Sequence, residues 1–136
     1  MSRSAGPTST ARSRAERKSL FRLSSAGKRH CRLVITEAPI DALSVAAIEG
    51  IRTDTLYAAT GGGMGPGTVQ AIERLLRQMA QCPDALLAGA TDANCAGERY
   101  AARHAELAAA AGIAFERLAP PTGNDWNDVL VERRPT

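Results

Sequence analysis

The stretch "ALLAGATDANCAGERYAARHAEL", Ala85 to Leu107, decides how this chain folds. Small and aliphatic residues run from Ala85 to Thr91, then stop at Asp92-Ala93-Asn94. Gly97 follows, and an alanine-rich helical pattern extends to Ala111 before Gly112 closes it. A short apolar run bounded by turn residues reads as a buried strand, and the longer pattern behind it reads as a helix. A carboxylate and an amide thus stand two residues apart where strand gives way to helix.

The same alternation extends in both directions. Arg32–Thr36, "RLVIT", is a β-branched run and reads as a buried strand. Pro39 occupies a first helical position, Ile40, Leu43, Ala47 and Ile48 follow at helical spacing, and Gly50 stops the helix. Thr55–Thr60 reads as a second strand and Gly61–Gly67 as a loop. Thr68 is placed as the cap of a helix whose apolar face is Val69, Ile72, Leu76 and Met79. Ile113–Leu118 reads as a fourth strand, and "DWNDVLVERR" as a short terminal helix. Strands alternating with helices of this length predict an α/β fold, a four-stranded parallel sheet flanked by helices.

The charge is divided unevenly. Residues 1–30 hold eight Lys/Arg against Glu16 alone, or +7, whereas residues 31–136 carry −4. The expected organisation is therefore a basic, disordered arm over 1–30 and one domain over 31–134. Such an arm has the composition to touch phosphates. "KSLFRL", Lys18 to Leu23, is its one apolar patch and has the length of a short strand. No run reaches membrane-spanning length and no apolar leader is present, so a cytoplasmic protein is expected. Cys31, Cys82 and Cys95 show no paired spacing and are expected to be reduced thiols.

In an open parallel sheet the functional groups gather beyond the carboxyl ends of the strands. Glu37 and Asp41 follow the first strand, and Gly61, Gly62, Gly63 and Gly65 follow the second. Asp92 and Asn94 follow the third, and Asp125 and Asp128 follow the fourth as secondary candidates. Glycines before a helix expose backbone N–H groups that can hold a phosphate. The loop is neither a Walker A sequence nor a dinucleotide fingerprint. Oxygen ligands at Asp92 and Asn94 suit Mg²⁺, which takes few protein ligands. Helix capping is the competing reading for Asp92, Asn94, Glu37 and Asp41.

Together these motifs resemble the Toprim domain, the fold shared by bacterial-type primases, type IA and type II topoisomerases, OLD-type nucleases and recombination mediators. The family pattern has a glutamate after strand one, a glycine after strand two, and D-x-D with a following glycine after strand three. Here "VITEAPIDAL", "ATGGGMG" and Asp92-Ala93-Asn94 with Gly97 are similar to it. "ERYAARHAEL" and "GNDWNDVL" resemble the Toprim region of primase-like proteins of bacterial plasmids and mobile elements. The resemblance covers roughly Arg32 to Arg133. It implies a Rossmann-like Toprim fold and Mg²⁺-dependent nucleotidyl (phosphodiester) transfer on nucleic acid, with Mn²⁺ as the alternative ion. Glu37 takes the general acid/base role. Glu37, Asp41, Asp92 and Asn94 take the metal, and the glycine loop takes phosphate. Nucleic acid, nucleotides, and other domains or proteins of a replication or mobilisation system are the implied partners.

One position departs from the pattern: Asn94 stands where the second aspartate belongs. That favours a rival class, a Toprim module that binds nucleic acid or a partner without chemistry. A metal-dependent nuclease would use the same residues. Tyr57 and Tyr100 fall on a predicted strand and helix and read as structural rather than nucleophilic.

Overall fold

The computed structural model describes residues 20–25 and 29–133; most of the expected basic arm, and the end of the chain at 134–136, lie outside them. The elements are β1 (Phe21–Leu23), β2 (Arg32–Thr36), α1 (Pro39–Glu49), β3 (Thr55–Ala59), α2 (Pro66–Met79), β4 (Leu86–Gly89), α3 (Cys95–Ala110), β5 (Ala114–Arg117) and α4 (Trp126–Arg133).

The sheet order is β1-β3-β2-β4-β5. β3, β2, β4 and β5 are parallel, the predicted four-stranded core. The sheet has one strand more than expected: β1 adds to the outer edge of β3 and runs antiparallel to it. Three residues carry too little periodicity to announce a strand, and "FRL" gains its partner only once β3 is in place.

β2 lies at the centre, with all five residues buried. Its alternating side chains feed two cores. Leu33 and Ile35 join Leu56, Ile72, Leu76, Leu87 and Ala108 under α2 and α3. Val34 joins Ala42, Val45, Ala88, Trp126 and Val129 under α1 and α4. The result is three layers, helix pairs on both faces of the sheet, as small aliphatic side chains demand when aromatics make up only 4% of the chain.

Two helix starts differ from the sequence reading. α2 begins at Pro66, with Gly65 in the cap position, and Thr68 is buried inside the first turn. α3 begins at Cys95, because Asn94 caps it. The cysteines differ too: Cys31 and Cys82 form a disulfide with Cα atoms 5.8 Å apart, and Cys95 is free and exposed. Cys82 lies 51 positions after Cys31, but Leu86 donates its N–H to the Cys31 carbonyl. The return of the chain into β4 therefore brings Cys82 back beside the start of β2.

Candidate metal and nucleic-acid site

The parallel strands, in chain order, take the spatial order second, first, third, fourth. The connections leaving β2 and β4 go to opposite faces, since α1 packs on one side and α3 on the other. A crevice opens between two such diverging loops, and ligands of open α/β sheets bind there. Glu37 stands at the end of β2 and Asp92 just beyond the end of β4, on either side of that crevice.

Each side chain is fixed by local structure. The Thr36 hydroxyl donates to the carbonyls of Ala38 (3.0 Å) and Ala58 (3.3 Å), which holds the turn into α1. The Glu37 carboxylate accepts the backbone N–H of Asp92 at 3.0 Å, tying the two strand ends together directly. Asp41, in the first turn of α1, is 4% exposed and accepts the backbone N–H of Asn127 at 3.1 Å. The Thr91 hydroxyl donates to the Gly97 carbonyl, closing the Asp92 turn from beneath.

The remaining predicted residues divide by role. Asn94 accepts the Gly97 N–H at 2.8 Å and its amide donates to Asn124 at 3.1 Å. It is the helix cap that the competing reading described. Asp125 and Asp128 form a reciprocal capping box at the start of α4. Asp125 accepts the Asp128 N–H at 2.9 Å, and Asp128 accepts from Asn124 and Asp125. Asp125 still lies close enough to raise the pKa of Asp92 and Asp41.

The glycine loop begins at the end of β3, where the Gly61 N–H meets the Glu37 carbonyl at 2.8 Å. Gly61 (φ 76°) and Gly62 (φ 109°) hold backbone angles that disfavour side chains. Gly63 and Gly65 are different. Neither has positive φ, and a Cβ on either would meet nothing within 4 Å. Gly65 is the N-cap of α2, a position that glycine fills well, and Gly63 borders open space.

Arg117 is a residue the sequence reading missed. Its guanidinium donates to the carbonyls of Gly89 (2.9 Å), Thr91 (3.0 Å) and Asp92 (2.9 Å), and it pairs with Glu98 at 2.8 Å. It clasps the whole turn that carries Asp92. The available signal was a charged residue at the last, half-buried position of the fourth parallel strand. Arg117→Met removes this donor from the Thr91 and Asp92 carbonyls, while Gly89 keeps the Leu118 N–H, and is expected to cost about 2 kcal/mol in urea unfolding. Arg117→Lys, which keeps a cation, is expected to recover part of that loss.

Electrostatically the crevice is a site of unbalanced negative charge. Burial pushes the Asp92 carboxyl up to about 6, and the neighbouring charges of Glu37, Asp41 and Asp125 push the same way, against a smaller effect of Arg117. Burial also raises Asp41, helped by Asp125, Glu37 and Asp128 and opposed by the hydrogen bond from Asn127. Among the described residues no group of three or more His, Cys, Asp or Glu side chains is arranged so that it could hold a metal ion. Mg²⁺ does not require such a cage: one or two carboxylates serve, with water and substrate phosphate completing its shell. Paired carboxylates held at a crevice without balancing charge fit that ion, and Asn94, engaged as a cap, fits less well.

A protein-family model described as Toprim-like matches residues 34–130, from within β2 to within α4. The match covers well over half of the 136-residue chain and includes every site residue named above. No curated protein and no solved structure matches the chain. Among the described residues no helix is long and apolar enough to cross a membrane.

Proposed function

The chain belongs to the Toprim-like family, whose domains bind divalent metal ions, typically Mg²⁺, in functions connected with nucleic acid, and on that premise we propose that it is the nucleotidyl (phosphodiester) transfer domain of a primase-like protein. The observation that supports this most is the pairing of Glu37 with the Asp92 turn across the crevice, with Asp92 held at a pKa of about 6 by burial and like charge.

Asp92 and Glu37 would hold the ion, with Asp41 close behind them. A bound Mg²⁺ supplies neutralisation of phosphate charge and orientation of the reacting oxygens. Glu37 is placed to take and return a proton at its carboxylate, and the Asp92 N–H orients that group. Open space beside Gly63 and Gly65 would leave room for a phosphate chain near the loop backbone. Arg117 is a positioning residue that keeps the Asp92 turn from spreading under its own charge.

A binding-only module is the second reading, and one observation favours it. Asn94 serves the helix rather than the crevice, so the second acidic position of the family pattern supplies no charge. Cleavage in place of synthesis would draw on the same residues.

Asp92→Asn separates these readings from a purely structural one. A carboxyl raised from 3.8 to about 6 binds its proton more readily in the folded chain. Its contribution to stability is therefore greatest below the ordinary value, falls as pH climbs from about 4 to about 6, and stays low above. The full shift corresponds to about 3 kcal/mol, which screening at a partly exposed group reduces to about 1 kcal/mol. In chelator at neutral pH, Asp92→Asn should thus melt about 3–5 °C higher than the parent. With excess Mg²⁺ the parent should gain melting temperature and the variant should not. An equal Mg²⁺ response in both would remove Asp92 from the metal site. Extension of a labelled primer, against degradation of the same strand, then distinguishes transfer, cleavage and binding alone.

A further inference from the structure

We propose that the groove between α2 and α3 is a track for single-stranded nucleic acid, in which Arg99 and Arg103 hold phosphates and the Tyr100 ring stacks on a base. This rests on the nucleic-acid reading above and adds the path by which a strand reaches the carboxylates. α2 and α3 cover the same face of the sheet and run in the same direction, because each follows a strand of the parallel core. Toward their ends, Leu76 and Arg77 of α2 face Leu107 and Ala110 of α3 across one cavity. Tyr100 precedes Leu107 by two helical turns and so shares its side of α3. Val69 precedes Leu76 by the same interval on α2. Both Tyr100 and Val69 are half-buried, as side chains along a groove should be. The groove begins at the crevice, since α2 starts behind the glycine loop and α3 starts just past Asp92.

A metal ion balances phosphate charge only at the carboxylates, and the rest of a bound strand needs cations of its own. Arg32, Arg52 and Arg117 are committed to Glu49, Asp54 and Glu98. Arg99 and Arg103 are exposed, and among the described residues neither is in an ion pair. They stand one turn apart on one side of α3, before and after Tyr100. The acid before them, Glu98, is balanced by Arg117, and Glu106 comes only after the second arginine. The two tyrosines differ in the same sense. Tyr57 is fully buried and gives its hydroxyl to Glu49, whereas Tyr100 keeps part of its surface in solvent. Free guanidinium groups beside a half-exposed aromatic ring form a single-strand platform, with cations following the backbone while the ring takes a base of any kind.

The test uses the full chain and a fluorescein-labelled single-stranded oligothymidylate, with binding read by anisotropy over a salt series. Arg99→Gln with Arg103→Gln should leave the melting temperature unchanged. It should reduce the slope of log affinity against log salt by about 1.4, two charges at about 0.7 each. Arg22→Gln with Arg133→Gln removes the same charge from β1 and α4 and should reduce the slope less. Tyr100→Leu should weaken binding about tenfold, and Tyr100→Phe should match the parent. On the parent itself, an oligonucleotide carrying 5-iodouracil should cross-link at Tyr100. Parent binding with an unchanged slope in the first pair, or with equal losses in both pairs, would overturn the track while leaving the nucleic-acid reading intact. Cross-links confined to residues outside 95–107 would overturn its placement. A parent that binds no oligonucleotide at low salt would overturn both.

Discussion

Gly97→Ala is expected to lower the unfolding free energy by about 3 kcal/mol or more, the largest effect of any single methyl group at the site. A Cβ at this position would lie 1.9 Å from the Asp92 carbonyl oxygen and 2.7 Å from its carbonyl carbon. Both are backbone atoms, so no rotamer change relieves the overlap. Either α3 lifts away from the strand end or the Asp92 turn moves. Each outcome strains the Asn94 cap, the Thr91 hydrogen bond to Gly97 and the Arg117 clasp together. Whatever fraction of the variant folds should therefore show a weakened Mg²⁺ shift in its melting curve. Gly63→Ala is the matching control. Its Cβ meets nothing within 4 Å, so it should stay within about 0.5 kcal/mol of the parent. A Gly97→Ala variant as stable as the Gly63→Ala control would show that the tight approach is not needed.

Glu49→Ala should be comparably damaging, by about 3 kcal/mol, although it lies away from the crevice. Glu49 closes α1 and accepts both ends of the Arg32 guanidinium at 2.9 Å and the Tyr57 hydroxyl at 2.7 Å. The Arg32 side chain is only 8% exposed and Tyr57 is fully buried. Truncation leaves a buried cation without its carboxylate, with only the Thr55 hydroxyl at 3.2 Å to accept from it, and a buried hydroxyl without its acceptor. Burial raises the Glu49 carboxyl, but the Arg32 and Tyr57 hydrogen bonds outweigh it, so the net shift is downward. Its contribution is thus present above the ordinary 4.5 and is lost as pH falls. The parent should lose this stability on acidification, and Glu49→Gln should lack the acid-dependent loss. Urea unfolding of the three proteins between pH 3 and pH 7 measures it.

The architecture was legible because strand and helix periods alternate cleanly from Arg32 onward. "RLVIT" and "ALLAGAT" have the continuous apolar character of strands buried on both faces. The parallel sheet, and the strand ends that carry Glu37 and Asp92, followed from that alone. β1 was legible only as an apolar patch, since three residues gain strand geometry from β3 rather than from their own pattern. The start of α2 carried its signal in Gly65-Pro66, but Thr68 is a stronger cap former and drew the boundary inward. Asn94 presents the same short polar side chain to a cap and to a metal, and only the Gly97 N–H at 2.8 Å distinguishes the two. Arg117 and the Cys31–Cys82 pair depend on contacts between segments distant in sequence, which no local pattern records.

The disulfide divides the polypeptide in a way the folded shape conceals. Its ends close a ring that contains β2, α1, β3 and α2, and leave β4, α3, β5 and α4 as a tail. Glu37, Asp41 and the glycine loop belong to the ring, whereas Asp92 and its Arg117 clasp belong to the tail. The crosslink therefore restricts the wandering of one half of the crevice in the denatured chain and leaves the other half free to search. With the disulfide formed, the site still depends on β4 pairing beside β2, which sets Asp92 against Glu37.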